Sequence, residues 1–127
     1  MSFIFGPRSL RAFEGVHPDL VRVAHRALAL TPTDFVITEG LRTLKRQREL
    51  LEAGASRTMN SRHLTGHAID FAPVVAGKVR WDWPLFPPIA AAFKAAAMER
   101  GVAIVCGADW VKFRDGPHVE LDRRVYS

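Results

Sequence analysis

"SRHLTGHAIDFAP", Ser61 to Pro73, carries two histidines and an aspartate within eight residues and passes from a polar, glycine-punctuated stretch into an apolar one. His63 and His67 have the HxxxH spacing of helical zinc proteases, but no glutamate follows the first histidine, and Gly66 sits where it would weaken a helix. A helical reading therefore fails. If His67 to Phe71 is a strand, side chains alternate: His67, Ile69 and Phe71 share one face, and Ala68, Asp70 and Ala72 the other. Asp70, flanked by two small alanines, then has room for a metal ion. His67 falls with the apolar face or at the strand's edge. Taken alone, Asp70 is equally open to a buried pairing with an arginine.

The balance changes at "DGPHVEL", Asp115 to Leu121. On a strand starting at Pro117, His118 and Glu120 point one way while Val119 and Leu121 point into the core. His63, Asp70 and His118 would then make a three-ligand zinc site with a fourth position open to water, the count that separates a catalytic zinc from a closed structural one. Two neutral imidazoles and one carboxylate leave a net positive centre, able to lower the pKa of bound water towards about 7. Such a hydrolase also needs a general base and a cation facing the developing oxyanion. Asp115 and Arg42 are available for these roles, and Glu120 is placed to orient His118 rather than to ligate.

Working outward, the apolar spacing of "HPDLVRVAHRALALTP" predicts a helix over about Pro18 to Leu30, with Pro18 in its first turn and His25, Arg22 and Arg26 on its outer face. "DFVITEG" reads as a strand, and "TLKRQRELLEAG" as a helix capped by Thr43 and ended by Gly54. Arg42 falls at this strand-to-helix junction, from which a side chain can reach over the end of a sheet. "ASRTMNSRHLTG" is expected to be a surface loop, and "GKVRWDW" the return strand of a hairpin. An alanine-rich helix over "PLFPPIAAAFKAAAMERG" follows, then a buried strand "VAIVC", a loop "GADWVKFRDG" and a last strand "PHVEL". The elements mix without regular βαβ alternation. The expected fold is α+β: one domain over residues 1–127, with a small, mainly antiparallel sheet carrying the zinc site and about three helices packed on it.

The bulk properties agree with a single globular unit. The chain has 127 residues, 48% hydrophobic and 24% charged, so neither disorder nor a fibrous repeat is indicated. A formal charge of +5 and a pI near 10.1 suit an anionic partner, nucleic acid or bacterial wall. The aromatics do not interleave with the basic residues as in a base-stacking platform, which argues against nucleic acid. Cys106 is the only cysteine, which excludes an internal disulfide and a Cys-rich metal site. The N-terminus lacks the pattern of a signal peptide, and no apolar stretch reaches membrane-spanning length. A monomer without membrane insertion and without a separate wall-binding domain is expected.

Three stretches carry a family resemblance: "EGLRTLKRQ" (39–47), "SRHLTGHAID" (61–70) and "DGPHVEL" (115–121). They resemble the arginine, SxHxxGxAxD and acid-xx-His motifs of peptidase family M15, the LAS group of zinc peptidases. That group includes D-alanyl-D-alanine carboxypeptidases and phage L-alanyl-D-glutamate endopeptidases. The likeness runs from about Pro7 to Asp122. It implies His63, Asp70 and His118 as zinc ligands, Asp115 as general base and Arg42 as the residue holding the substrate carbonyl. Ser61 and Glu120 would stand behind the ligands. An aspartate at position 115 resembles the phage endopeptidase branch.

The implied function is that of an endolysin cutting the L-Ala/D-Glu bond of the peptidoglycan stem peptide, held in the host cytoplasm until a membrane lesion releases it to the wall. A D-alanyl-D-alanine carboxypeptidase is the alternative, with Arg62 or Arg114 as the cation on a terminal carboxylate. A non-catalytic zinc-containing binding module would need neither Asp115 nor Arg42. "CGADW" departs from the family pattern, where a second glycine would be expected at Ala108 and an aromatic nearer Cys106, which bears on the shape of the groove.

Overall fold

The protein is described by a computed structural model over residues 3–56, 58–112 and 114–127; Met1 and Ser2 of the N-terminal segment, Arg57 of the first expected loop and Phe113 of the second lie outside the described residues. Its sheet is built around β2, Ala68–Val75, which pairs antiparallel with β1, Phe35–Glu39, on one side and with β5, His118–Leu121, on the other. β4, Ile104–Cys106, joins β5 at the edge, giving the order β1-β2-β5-β4. The expected hairpin after β2 is real but short: β3 is only Lys78–Val79, both exposed, and after one more amide bond, from Arg80 to the Pro73 carbonyl, the chain leaves β2.

Period-two alternation divides the sheet into two faces. One carries Ile37 opposite Phe71, Ile69 opposite Val119 and Ile104 opposite Leu121, and it is covered by helices. Helix α2, Pro18–Leu30, supplies Leu20, Val23, Ala24 and Ala27, and helix α4, Phe86–Arg100, supplies Ile89, Phe93 and Ala96. Phe71 and Phe93 stack with centroids 5.3 Å apart at the middle of this layer. Each such fully buried large side chain contributes on the order of 1.5–3 kcal/mol. The alanines of α4 let the two helices lie close together. Cys106 belongs to the same core, where burial pushes its thiol up to about 12, so it behaves as a small apolar residue.

The other face carries a row running across three strands: Glu39 opposite Asp70, and Asp70 opposite His118. The alignment of Glu39 depends on a register shift between Ile37 and Glu39, which carries β1 past Thr38 and sets Glu39, not Thr38, opposite Asp70.

Four α-helices occur among the described residues, one more than the sequence suggested. The addition, α1, is the six-residue Pro7–Ala12. Helix α3, Leu44–Glu52, begins as expected, with the Thr43 hydroxyl accepting from the Arg46 amide at 3.1 Å. The main departure from expectation is the segment before β2, which is not wholly a surface loop. Arg62–Thr65 forms a 3-10 turn closed by Gly66 at φ +75°, and His63 within it is buried. Gly66 is required twice over: its backbone is left-handed, and any Cβ would collide with the Gly15 carbonyl oxygen.

Candidate metal centre

His63, Asp70 and His118 come together over the polar face of the sheet, each offering one ligand atom, with these atoms all within 4.8 Å of one another. The two cross-strand partners are placed by the ladder. His63 reaches them from the 3-10 turn, which Ser61 caps by accepting the His63 amide at 3.2 Å. Asp70 Oδ1 lies 3.2 Å from His63 Nε2 and 3.4 Å from His118 Nδ1.

The opposite ring nitrogens are both occupied. His63 Nδ1 is 2.9 Å from the Gly40 carbonyl oxygen, and His118 Nε2 is 2.8 Å from Glu120 Oε1. An N–H donated outward at each ring aims the other nitrogen at Asp70, so that a metal replacing the inward protons would meet each ring's lone pair, the tautomer a metal ligand needs. Gly40 can present its carbonyl there because it packs directly against the Ala12 backbone, where a Cβ would not fit.

The electrostatics favour a cation at this point. Burial alone would raise the Asp70 carboxyl, but the hydrogen bonds from His118 and His63 outweigh it and hold the group well below the usual carboxylate range. Burial opposes charge on His118, yet Asp70 and Glu120 on either side push its imidazole up to about 9. Two imidazole nitrogens from buried histidines and one oxygen of a half-buried carboxylate are a donor set suited to a borderline divalent metal, and three protein donors would leave one position of a tetrahedral ion for water or substrate. His67 takes no part. It precedes the strand, its Nδ1 lies 2.7 Å from the Thr65 hydroxyl, and its ring packs 5.7 Å from His17.

Asp115 and Arg42 border the same cleft, a cavity of about 630 Å³ also lined by Trp110, Arg114, Ser56, Thr58 and Asn60. The backbone fixes Asp115 against the start of β5: its amide donates to the Gly107 carbonyl at 3.0 Å and its carbonyl accepts from the His118 amide at 3.2 Å. Burial, then the negative charge of Asp70, raises its carboxyl. Arg42 is buried and held on three sides. Its Nε meets Glu39, its Nη1 donates to Gln47 Oε1 at 2.6 Å, and its Nη2 lies 3.9 Å from Asp70 Oδ2. Its own amide donates to the His63 carbonyl at 2.9 Å, tying the arginine to the turn that carries His63.

Glu39, Gln47 and Trp110 were not singled out from the sequence. Glu39 and Gln47 are the first and last residues of the 39–47 motif, so the signal was present in the stretch already quoted. Gln47 is fully buried in an otherwise polar helix, and its Nε2 donates to Ser56 Oγ at 2.7 Å and to the Thr58 carbonyl at 2.5 Å. It therefore links Arg42 to the rim of the cleft. Trp110 packs its ring 5.1 Å from that of His118.

A two-histidine, one-carboxylate centre flanked by a second carboxylate and a fixed guanidinium has the parts a metal-dependent hydrolase requires. Comparison with known proteins narrows the class. The family description "Phage L-alanyl-D-glutamate peptidase" matches residues 1–126. The chain is 41% identical to the L-alanyl-D-glutamate peptidase of Escherichia phage T5 over 131 residues, spanning 100% of this chain and 95% of that protein. It is 32% identical to the peptidoglycan L-alanyl-D-glutamate endopeptidase CwlK of Bacillus subtilis, over 69% of this chain and 60% of that one. The crystal structure of the Serratia marcescens L-Ala D-Glu endopeptidase ChiX superposes with a TM-score of 0.91 at 46% identity, covering 97% of this chain and 93% of that one. The chain belongs to the phage L-alanyl-D-glutamate peptidase family and is a peptidase.

Gln47→Ala removes the acceptor for Arg42 and the anchor for the rim together. It is expected to cost about 1–3 kcal/mol in urea unfolding, the usual penalty for leaving buried partners unpaired. Hydrolysis should fall roughly tenfold, mostly in kcat. Gln47→Glu, which keeps an acceptor facing Arg42, should recover most of kcat.

Proposed function

We propose that this protein is a zinc-dependent peptidoglycan hydrolase that cuts the L-Ala/D-Glu bond of the stem peptide, with His63, Asp70 and His118 as the metal ligands. The observation that carries the reading is the convergence of two buried histidines and a half-buried aspartate, their donor atoms within 4.8 Å of one another, in a cleft bordered by Asp115 and Arg42. A zinc ion held there would supply a Lewis acid, lowering the pKa of a bound water and polarising the scissile carbonyl.

The chain's own groups do the rest. Asp115 takes a proton from the attacking water; the hydroxyl adds to the alanyl carbonyl carbon. Arg42 faces the oxygen on which negative charge develops, and it is already fixed by Glu39 and Gln47, so little reorganisation is needed. The C–N bond then breaks, and Asp115 returns the proton to the glutamyl nitrogen. Glu120 holds the His118 ring, the Gly40 carbonyl holds the His63 ring, and Ser61 holds the turn.

No helix among the described residues is long and apolar enough to cross a membrane. The reading extends to a monomer acting as one catalytic domain, accumulated in the host cytoplasm and released to the wall by a separate membrane lesion. The charge of +5 suits anionic wall material.

The test is digestion of purified Gram-negative peptidoglycan with the zinc-loaded protein, followed by amine labelling and mass identification. New D-Glu amino termini and released cross-linked stem peptides are expected. Free D-alanine without new glutamate amino termini would replace this reading with a carboxypeptidase.

A further inference from the structure

Resting on that reading, we infer that Arg114 selects the substrate by binding the free carboxylate of the glutamate on the leaving side of the cut. The substrate's own chemistry requires such a group. A glutamate whose nitrogen is released carries two carboxyls. Only one of them can continue the chain, so the other remains as an anion a few bonds from the scissile nitrogen. A cleft that prefers this residue needs a cation near the group that protonates that nitrogen.

Four arginines line the cleft among the described residues, and three are committed elsewhere. Arg42 is held by Glu39, Gln47 and Asp70. Arg62 donates from Nη2 to the Tyr126 carbonyl at 2.6 Å. Arg123 lies 3.5 Å from Glu120 Oε2 and donates to the Asn60 carbonyl at 3.4 Å. Arg114 is exposed and forms no salt bridge with a carboxylate among the described residues, yet it is not loose. Its guanidinium carbon sits 3.7 Å from the centre of the Trp83 ring, which itself stacks against the buried Phe86.

A guanidinium held over an aromatic ring keeps its N–H fork available to a planar acceptor, and Arg114 lines the cleft, so a carboxylate there can be bound bidentately. Sequence adjacency supplies the position, since Arg114 directly precedes Asp115, the group assigned to protonate the leaving nitrogen. An arginine so placed discriminates by charge, favouring an acid over its amide. It makes Trp83 a positioning residue.

The experiment uses the zinc-loaded full chain and two synthetic muramyl stem peptides, identical except that the free glutamate carboxyl of one is a carboxamide. The wild type should cleave the acid with kcat/KM about 10- to 100-fold above the amide, the range a charge-assisted hydrogen bond supports. Arg114→Met should bring the ratio close to one, chiefly through KM for the acid. Arg114→Lys should restore part of it, and Arg123→Met should leave the ratio in place. A wild-type ratio near one, a ratio that survives Arg114→Met, or one lost only in Arg123→Met overturns the inference while leaving the cleavage reading intact. Absence of L-Ala/D-Glu cleavage in both peptides overturns the two together.

Discussion

Alanine at any one of His63, Asp70 and His118 is expected to abolish zinc binding and hydrolysis, while His67→Ala retains one zinc per chain. The contrast follows from placement. The first three converge on one point from a 3-10 turn and two paired strands, whereas the His67 ring lies away from them against Thr65 and His17, although its carbonyl accepts the Leu121 amide at 2.9 Å. A site with only three protein ligands has none to spare, so loss of one should exceed the roughly 10–100-fold that removing an outer partner costs. Glu120→Ala provides that smaller step, because it frees His118 Nε2 without touching a ligand atom. Metal analysis and circular dichroism on the purified variants decide the matter. Zinc lost from the His67 variant and kept in the Asp70 variant would reverse the assignment.

The strand faces behind that contrast are legible in the sequence because strand parity is a local property. With a period of two, Asp70 and the alanines beside it must face away from Ile69 and Phe71, and His118 and Glu120 away from Val119 and Leu121. What escaped the sequence depends on pairing between distant segments. The register shift that sets Glu39 opposite Asp70 exists only in the match between β1 and β2. Gln47 is an ordinary polar residue of an amphipathic helix until Ser56 and Thr58 wrap over it. The buried turn at His63 is too short to show any periodicity, so a polar stretch around it reads as surface. Helix α1 is missed for the same reason, with only six residues beginning at Pro7. Arg114 is the extreme case: its position over Trp83 joins residues far apart in the chain that no spacing rule connects.

Asp115→Asn should separate catalysis from everything else the cleft does. The substitution is isosteric, so the Asp115 backbone bonds to Gly107 and His118 remain, and with them the geometry at the start of β5. Zinc content, thermal unfolding and wall binding are therefore expected to match the wild type. Hydrolysis is not, because an amide can neither take the proton from water nor return it to the leaving nitrogen, and the loss should be on the order of 10²-fold or more. Burial and the charge of Asp70 raise the native carboxyl, so it is a stronger base than an exposed aspartate and the asparagine variant loses correspondingly more. The measurement is kcat on a soluble stem peptide together with a binding isotherm for the same peptide on the variant. Retained binding with activity reduced a hundredfold supports the assignment. An Asp115→Asn protein that still turns over within a few-fold of wild type would move the general base to another group on the cleft, and the only other carboxylates lining it among the described residues are Glu39, Asp70 and Glu120, each already engaged by an arginine or a histidine.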